Sequence, residues 1–386
     1  MDIILFSTAD WDEPYWTNKQ HVTFELAKLG HRILYVESLG LRAPKLGDRK
    51  DWGRVLSRLK GWLSPIKKRN ENIWVFSPIQ FPFFRGWPPV AALNRQGVSL
   101  LVKHFLRKNA FHDCILWTYH PFLDGIEDCL PWKRFVYHSV DDLGALPFIS
   151  REKYDRSERA MLEKVDIVFV TARELESRLK PSHGNVHFMP NVVDFEHFSK
   201  AFDEATKIPE DLASIPEPRI GYIGVLSDFK VDFNLLIEVF RTAPDLNLVL
   251  IGDEREGQGS DLLKELVKLE NVFHLGYRSY SELPGYLKGM DVGLLPTKIN
   301  DYTKSMFPMK YFEYLAAGVP VVSTRLDFTE SVTEGIIVAT EFVPFRDAIR
   351  KQVHDIPSFE NAKGRVAGNT WRARTLRMIE LSEQSS

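Results

Sequence analysis

Short apolar runs alternate with helix-period segments along most of the 386 residues, and no other feature restricts the fold as strongly. "IILF" (3–6) precedes "QHVTFELAKLG", a helical pattern that stops at Gly30, a residue suited to the left-handed position after a helix. "RILYVE" (32–37) follows at once, then "CILWT" (114–118), "RFVYHSV" (134–140), "DIVFV" (166–170) and "VHFMP" (186–190). Runs that are apolar on both faces, with helices between them, predict a parallel sheet covered on both sides.

The rhythm pauses at 200–218, "KAFDEATKIPEDLASIPEP", which is polar, rich in Pro and Glu, and reads as a linker. A second series then begins: "RIGYIG" (219–224), "LNLVLIG" (246–252), "NVFHLG" (271–276), "DVGLLP" (291–296), "VPVVST" (319–324) and "GIIVA" (335–339). The pattern predicts an α/β chain of two Rossmann-like domains facing a cleft. The first spans 1–199 and the second 219–360. A last helix within 361–386 is expected to pack back on the first domain. The length suits two or three domains that each bury a core.

Composition narrows the classes. A formal net charge of −2 gives no global attraction to nucleic acid or anionic lipid. The two cysteines, Cys114 and Cys129, make neither a zinc pattern nor a disulfide framework, so a reducing cytoplasm is expected. "MDIILFSTADWDEP" lacks a basic flank and reads as a first strand, not a signal peptide. No uninterrupted apolar stretch is long enough to span a bilayer. One segment breaks the α/β pattern. In "RKDWGRVLSRLKGWLSPIKKR" (49–69), Trp52, Val55, Leu56, Leu59, Leu63 and Ile66 share a helical face, and eight Lys or Arg line the remainder or the flanks. With "FPFFRGWPP" (81–89) behind it, 49–89 is expected to contact a membrane surface as an interfacial segment. An ordinary surface helix packed on the sheet is the alternative.

Chemistry concentrates in "SMFPMKYFEYLAAGVPVVST" (305–324). Pro308 suits a helix start, which places Lys310 in the first turn among unpaired backbone N–H groups. A cation there opposes the helix dipole unless an anion docks beside it, and a diphosphate satisfies both. Glu313, three residues on, shares that face and suits a pair of ribose hydroxyls. The other reading is a surface Lys–Glu pair.

That run, continued back to "DVGLLPTKINDYTK", resembles the nucleotide-binding domain of GT-B-fold glycosyltransferases, as do "GYIGVLSDFKVD", "LVLIGDE" and "NVFHLGYRSYSELPGYL". The first domain resembles them more loosely, through "LAKLGHRILYVES" and "YHSVDDL". More narrowly, the chain is similar to bacterial enzymes, some glucuronosyltransferase-like, that build exopolysaccharide and cell-wall glycans. The resemblance implies a sugar-nucleotide donor, expected to be UDP-linked, with Lys310 as a diphosphate contact and Glu313 as a ribose contact. It also implies that Gly221 and Gly224 allow close backbone approach and that Tyr277 and Arg278 frame the base. Lys230 is a further phosphate contact or a solvated lysine.

The acid–base residue is expected from the first domain. Asp141 and Asp142 lie just past a buried strand, at the carboxyl end where doubly wound sheets bind ligands. An aspartate there can take the proton of an attacking acceptor hydroxyl. Either residue fits, and both could instead cap the next helix. Retaining members of the family carry two glutamates separated by seven residues. Counting back from Glu313 reaches Ser305, which tilts the reading toward inversion by direct displacement.

Other signals carry less. "DWD" (10–12) is formally a metal-binding pattern but reads as a polar loop, and neither metal nor cofactor is expected. The turn after the first strand lacks the glycine fingerprint of an NAD enzyme. His21, His120 and His138 could line the cleft, although lone histidines are usually structural. No nucleic-acid-binding module occurs. The sequence thus predicts a glycosyltransferase at the cytoplasmic membrane face, acting on a glycan or lipid-linked acceptor. A same-fold sugar-nucleotide epimerase and a non-catalytic nucleotide-sugar-binding subunit are the alternatives.

Overall fold

The computed structural model describes residues 1–38, 65–78, 88–254 and 259–384. It contains two compact units, Met1–Met189 with Thr375–Ser386, and Pro190–Arg374.

The first unit holds an eight-stranded sheet: β1 (Asp2–Phe6), β2 (Arg32–Val36), β3 (Ile66–Lys68), β4 (Ile73–Phe76), β5 (Ile115–Thr118), β6 (Arg134–Ser139), β7 (Ile167–Val170) and β8 (Val186–Phe188). Their spatial order is β3-β4-β2-β1-β5-β6-β7-β8. All pairings are parallel except β3 with β4. Every residue of β1, β5 and β7 is buried, the expected result for strands with helices on both faces. The chain reverses its direction of growth between β1 and β5, and a ligand crevice forms at the carboxyl ends of such a pair.

The second unit repeats the design with β9 (Arg219–Ile223), β10 (Asn247–Ile251), β11 (Val272–Gly276), β12 (Val292–Leu295), β13 (Val321–Ser323) and β14 (Ile336–Val338). The order β11-β10-β9-β12-β13-β14 places the corresponding switch between β9 and β12.

Three expectations change. The linker reading of 200–218 gives way to packing: Leu212 and Ile215 are buried, and the segment belongs to the second unit. Its polar residues are spent on ion pairs as well as on water, which composition does not reveal. The interfacial-helix reading of 49–69 fails at its end, because Ile66, Lys67 and Lys68 form the antiparallel edge strand β3. The rest of that helix, and 79–87, lie outside the described residues. The C-terminal helix is two helices, Phe359–Val366 and Trp371–Gln384, and the chain passes from the second unit to the first within the latter. Among the described residues no helix is long and apolar enough to cross a membrane.

Candidate functional site

In the second unit, β12 leads through a loop to the helix Lys310–Ala316. Pro308 sits two residues before that helix instead of opening it, and Met309 is its N-cap. The helix is fixed over the sheet by Tyr314. The Tyr314 ring fills the space a side chain at Gly293 would occupy, and its hydroxyl accepts a 3.0 Å hydrogen bond from the backbone N–H of Ile223. That bond ties the helix to the carboxyl end of β9, beside the switch. Lys310 Nζ lies 2.7 Å from Glu313 Oε2, and the Glu313 side chain is only 6% exposed. A carboxylate this buried needs its partner, so the pair differs from a solvated surface contact.

Around Glu313 stand two residues that the sequence did not flag. His197 stacks on Tyr280 with ring centroids 4.2 Å apart, and its Nε2 lies 2.8 Å from the Tyr280 carbonyl oxygen. Burial, then the charges of Glu313 and Asp194, push the Tyr280 phenol up. Burial holds the His197 imidazole below its ordinary value.

The remaining second-unit candidates divide by environment. Gly224, at the end of β9, has φ +155°, a conformation that side chains disfavour. Its carbonyl oxygen lies where a Cβ on Gly252 would fall, 1.8 Å away, so two strand ends meet backbone to backbone. Gly221 is different: it sits within β9, and a Cβ there would strike the Met290 sulfur at 1.9 Å. Its smallness serves internal packing. Lys230 Nζ lies 5.4 Å from the centroid of the Tyr302 ring, in the loop after β9. Arg278 is committed elsewhere. Its guanidinium donates to Asp211 and Tyr286, and the Tyr286 hydroxyl also donates to Asp211. Against partial burial, which acts the other way, those hydrogen bonds hold Asp211 below the usual carboxylate range. Tyr277 precedes it and gives its carbonyl oxygen to Arg278 Nη1 at 2.9 Å.

In the first unit the two adjacent aspartates separate cleanly. Asp142 is buried; its Oδ1 accepts from the Gly144 backbone at 3.1 Å, and its Oδ2 accepts from Arg151 Nη1 at 2.7 Å. It caps the 3-10 turn Leu143–Ala145, a structural task. The Asp141 side chain is 22% exposed and faces Lys19 Nζ at 3.7 Å. Lys19 is a buried cation in the first turn of the helix Asn18–Lys28, where the dipole disfavours it. A lysine in the first turn of a helix is the same sequence signal that marks Lys310.

His138, on β6, feels the Lys19 charge, and His120 lies just past β5; both are almost fully buried. Burial pushes the His120 imidazole down to about 4. Burial, helped by the Lys19 charge, pushes His138 down to about 3. His138 stacks on Tyr119 at 4.8 Å. Among the described residues, neither ring nitrogen of His138 has a hydrogen-bond partner, nor does His120 Nε2 or Ser139 Oγ. Buried polar atoms are rarely left so. His21 is buried against Trp16, with ring centroids 5.5 Å apart. Among the described residues no group of three or more His, Cys, Asp or Glu is placed to hold a metal ion. Asp12 of the "DWD" pattern pairs with Arg69.

Two doubly wound units, each with polar side chains at its switch point, define the GT-B class of fold. Solved structures share it over nearly their whole length. Sucrose-phosphate synthase from Thermosynechococcus elongatus aligns with a TM-score of 0.72 at 16% identity, covering 99% of this chain and 98% of that one. Anabaena HepE in complex with UDP-glucose aligns at 0.61 and 14% identity, covering 100% and 98%. Residues 217–355, within the second unit, match the family Glycosyl transferases group 1. A Bacillus subtilis (strain 168) protein, TuaH, named as a teichuronic acid biosynthesis glycosyltransferase, is 29% identical over 236 residues. That match spans 57% of this chain and 57% of the relative's length.

Proposed function

We propose that the protein is a glycosyltransferase that moves a sugar from a nucleotide-sugar donor to a glycan or lipid-linked acceptor. The observation that carries the proposal is the Lys310–Glu313 pair, held by Tyr314 beside the β9–β12 switch of a domain matching the glycosyl transferases group 1 family. Lys310 would exchange its contact with Glu313 for the donor diphosphate, and Glu313 would accept hydrogen bonds from ribose hydroxyls. Gly224 would let the donor approach the end of β9, with Lys230 and Tyr277 as further donor contacts. Arg278 supports the site through Asp211. The complex of HepE with UDP-glucose supports a UDP-linked donor, and the similarity to TuaH supports a cell-wall glycan acceptor.

Asp141 is assigned as the general base, in preference to Asp142, because Asp142 is consumed by Gly144 and Arg151. It would take the proton of the acceptor hydroxyl as that oxygen attacks the anomeric carbon, with inversion. Lys310 would meet the leaving charge without a metal, so a chelator should leave the rate unchanged. The proposed setting is the cytoplasmic face of the cell membrane.

The test follows UDP release from a panel of UDP-sugars, with wild-type protein, Asp141→Asn and Asp142→Asn. Loss of release in Asp141→Asn, with UDP binding retained, is the expected result. Equal turnover by wild type and Asp141→Asn would overturn the assignment.

A further inference from the structure

The helix Pro88–Lys108 buries one side and, among the described residues, leaves another uncovered. Val98, Val102, Phe105 and Leu106 enter the core of the first unit. Leu93, Leu100 and Leu101 are instead 56%, 67% and 43% exposed. Separations of seven and eight residues put the three on one stripe. Gly97 lies among them, and a Cβ there would meet no atom within 4 Å. Single exposed leucines are ordinary, whereas three on one stripe form a surface to be covered.

The charge pattern indicates what covers it. Residues 72–112 contain no Asp or Glu, although they hold Arg85, Arg95, Lys103, Arg107 and Lys108. This stretch departs from a chain whose overall balance is −2. Arg107 and Lys108, both exposed, stand in the last helical turn. A second copy of the chain seated on the same face would bring these cations against their own kind, which opposes a symmetric dimer. Nucleic acid would use the cations but give no reason for the leucines.

We infer that this face of Pro88–Lys108 docks on an anionic lipid surface. The leucines enter the boundary between headgroups and acyl chains, and the cations meet the lipid phosphates. The inferred contact lies on the helix that begins where the 49–89 stretch ends. It does not depend on the glycosyl-transfer reading, because binding is read without any donor or acceptor.

The experiment is co-sedimentation of the full chain with phosphatidylcholine vesicles, with and without phosphatidylglycerol. The protein should pellet with the anionic vesicles, less so as salt rises, and remain in solution with neutral ones. Replacing Leu93, Leu100 and Leu101 together by Ser should weaken binding by about tenfold or more. Lys103→Gln, Arg107→Gln and Lys108→Gln should each weaken it by about fivefold. All six side chains lie on one helix face away from the core, and circular dichroism should show unchanged folding. Equal binding by wild type and the leucine variant would overturn the inference, as would equal binding to neutral and anionic vesicles or no binding to either. A dimer in gel filtration that only the leucine variant dissociates would assign the face to a second copy instead.

Discussion

At the scale of single residues, the candidate chemistry rests on which carboxylates are already occupied. Asp142 and Asp141 are adjacent in sequence, yet one accepts from Gly144 and Arg151 while the other faces Lys19 at a longer distance. Asp142→Ala is therefore expected to lower stability by about 1–2 kcal/mol, through loss of the turn cap and of a half-exposed ion pair. Asp141→Asn should unfold near the wild-type temperature while slowing transfer by about a hundredfold or more. Thermal unfolding and UDP release on the same samples check both. The sequence made the "DD" turn visible as a candidate. The division of labour was not legible, because it depends on Arg151 returning from the next helix and Lys19 arriving from the first. Tyr314 was equally hidden, since a tyrosine among core aromatics gives no sign that its hydroxyl holds a strand end.

At the scale of elements, strands buried on both faces were legible, because a continuous apolar run has few other uses. All six runs of the second series correspond to β9 to β14. β3 and β4 escaped notice. Ile66–Lys68 is short and basic, as edge strands often are, and merged by periodicity with the amphipathic run before it. The 200–218 segment misled for a related reason: its buried residues, Leu212 and Ile215, are sparse among polar ones whose partners lie far along the chain. Asp211 meets Arg278 and Tyr286 there. Asp211→Asn should cost about 1 kcal/mol of second-unit stability, read as a lowered melting temperature. Two glycine substitutions give opposite expectations. Gly97→Ala adds a methyl to open space in a helix interior and should stabilise by about 0.5–1 kcal/mol. Gly252→Ala, at φ +141° and against the Gly224 carbonyl oxygen, should cost about 2 kcal/mol or more.

At the scale of the whole molecule, the buried histidines couple folding to pH. His120 and His138 stay neutral in the folded first unit down to about 4 and about 3, whereas exposed histidines titrate near about 6.5. Between those values the unfolded chain binds more protons. Their contribution is therefore complete above about pH 6.5 and is lost as pH falls toward the folded values, with a slope of about 1.4 kcal/mol per pH unit for each. His138→Phe, placed among Trp117, Tyr119 and Phe169, should flatten that slope by about half in denaturant titrations over this range. The central claim concerns the second unit: Lys310 and Glu313 hold the nucleotide part of a sugar donor. Calorimetric titration of UDP into wild type, Lys310→Ala and Asp141→Asn tests it most directly. Wild type should bind UDP, Lys310→Ala about tenfold or more weakly, and Asp141→Asn with unchanged affinity. Equal affinity in wild type and Lys310→Ala, or no binding of UDP to any of the three, would contradict it.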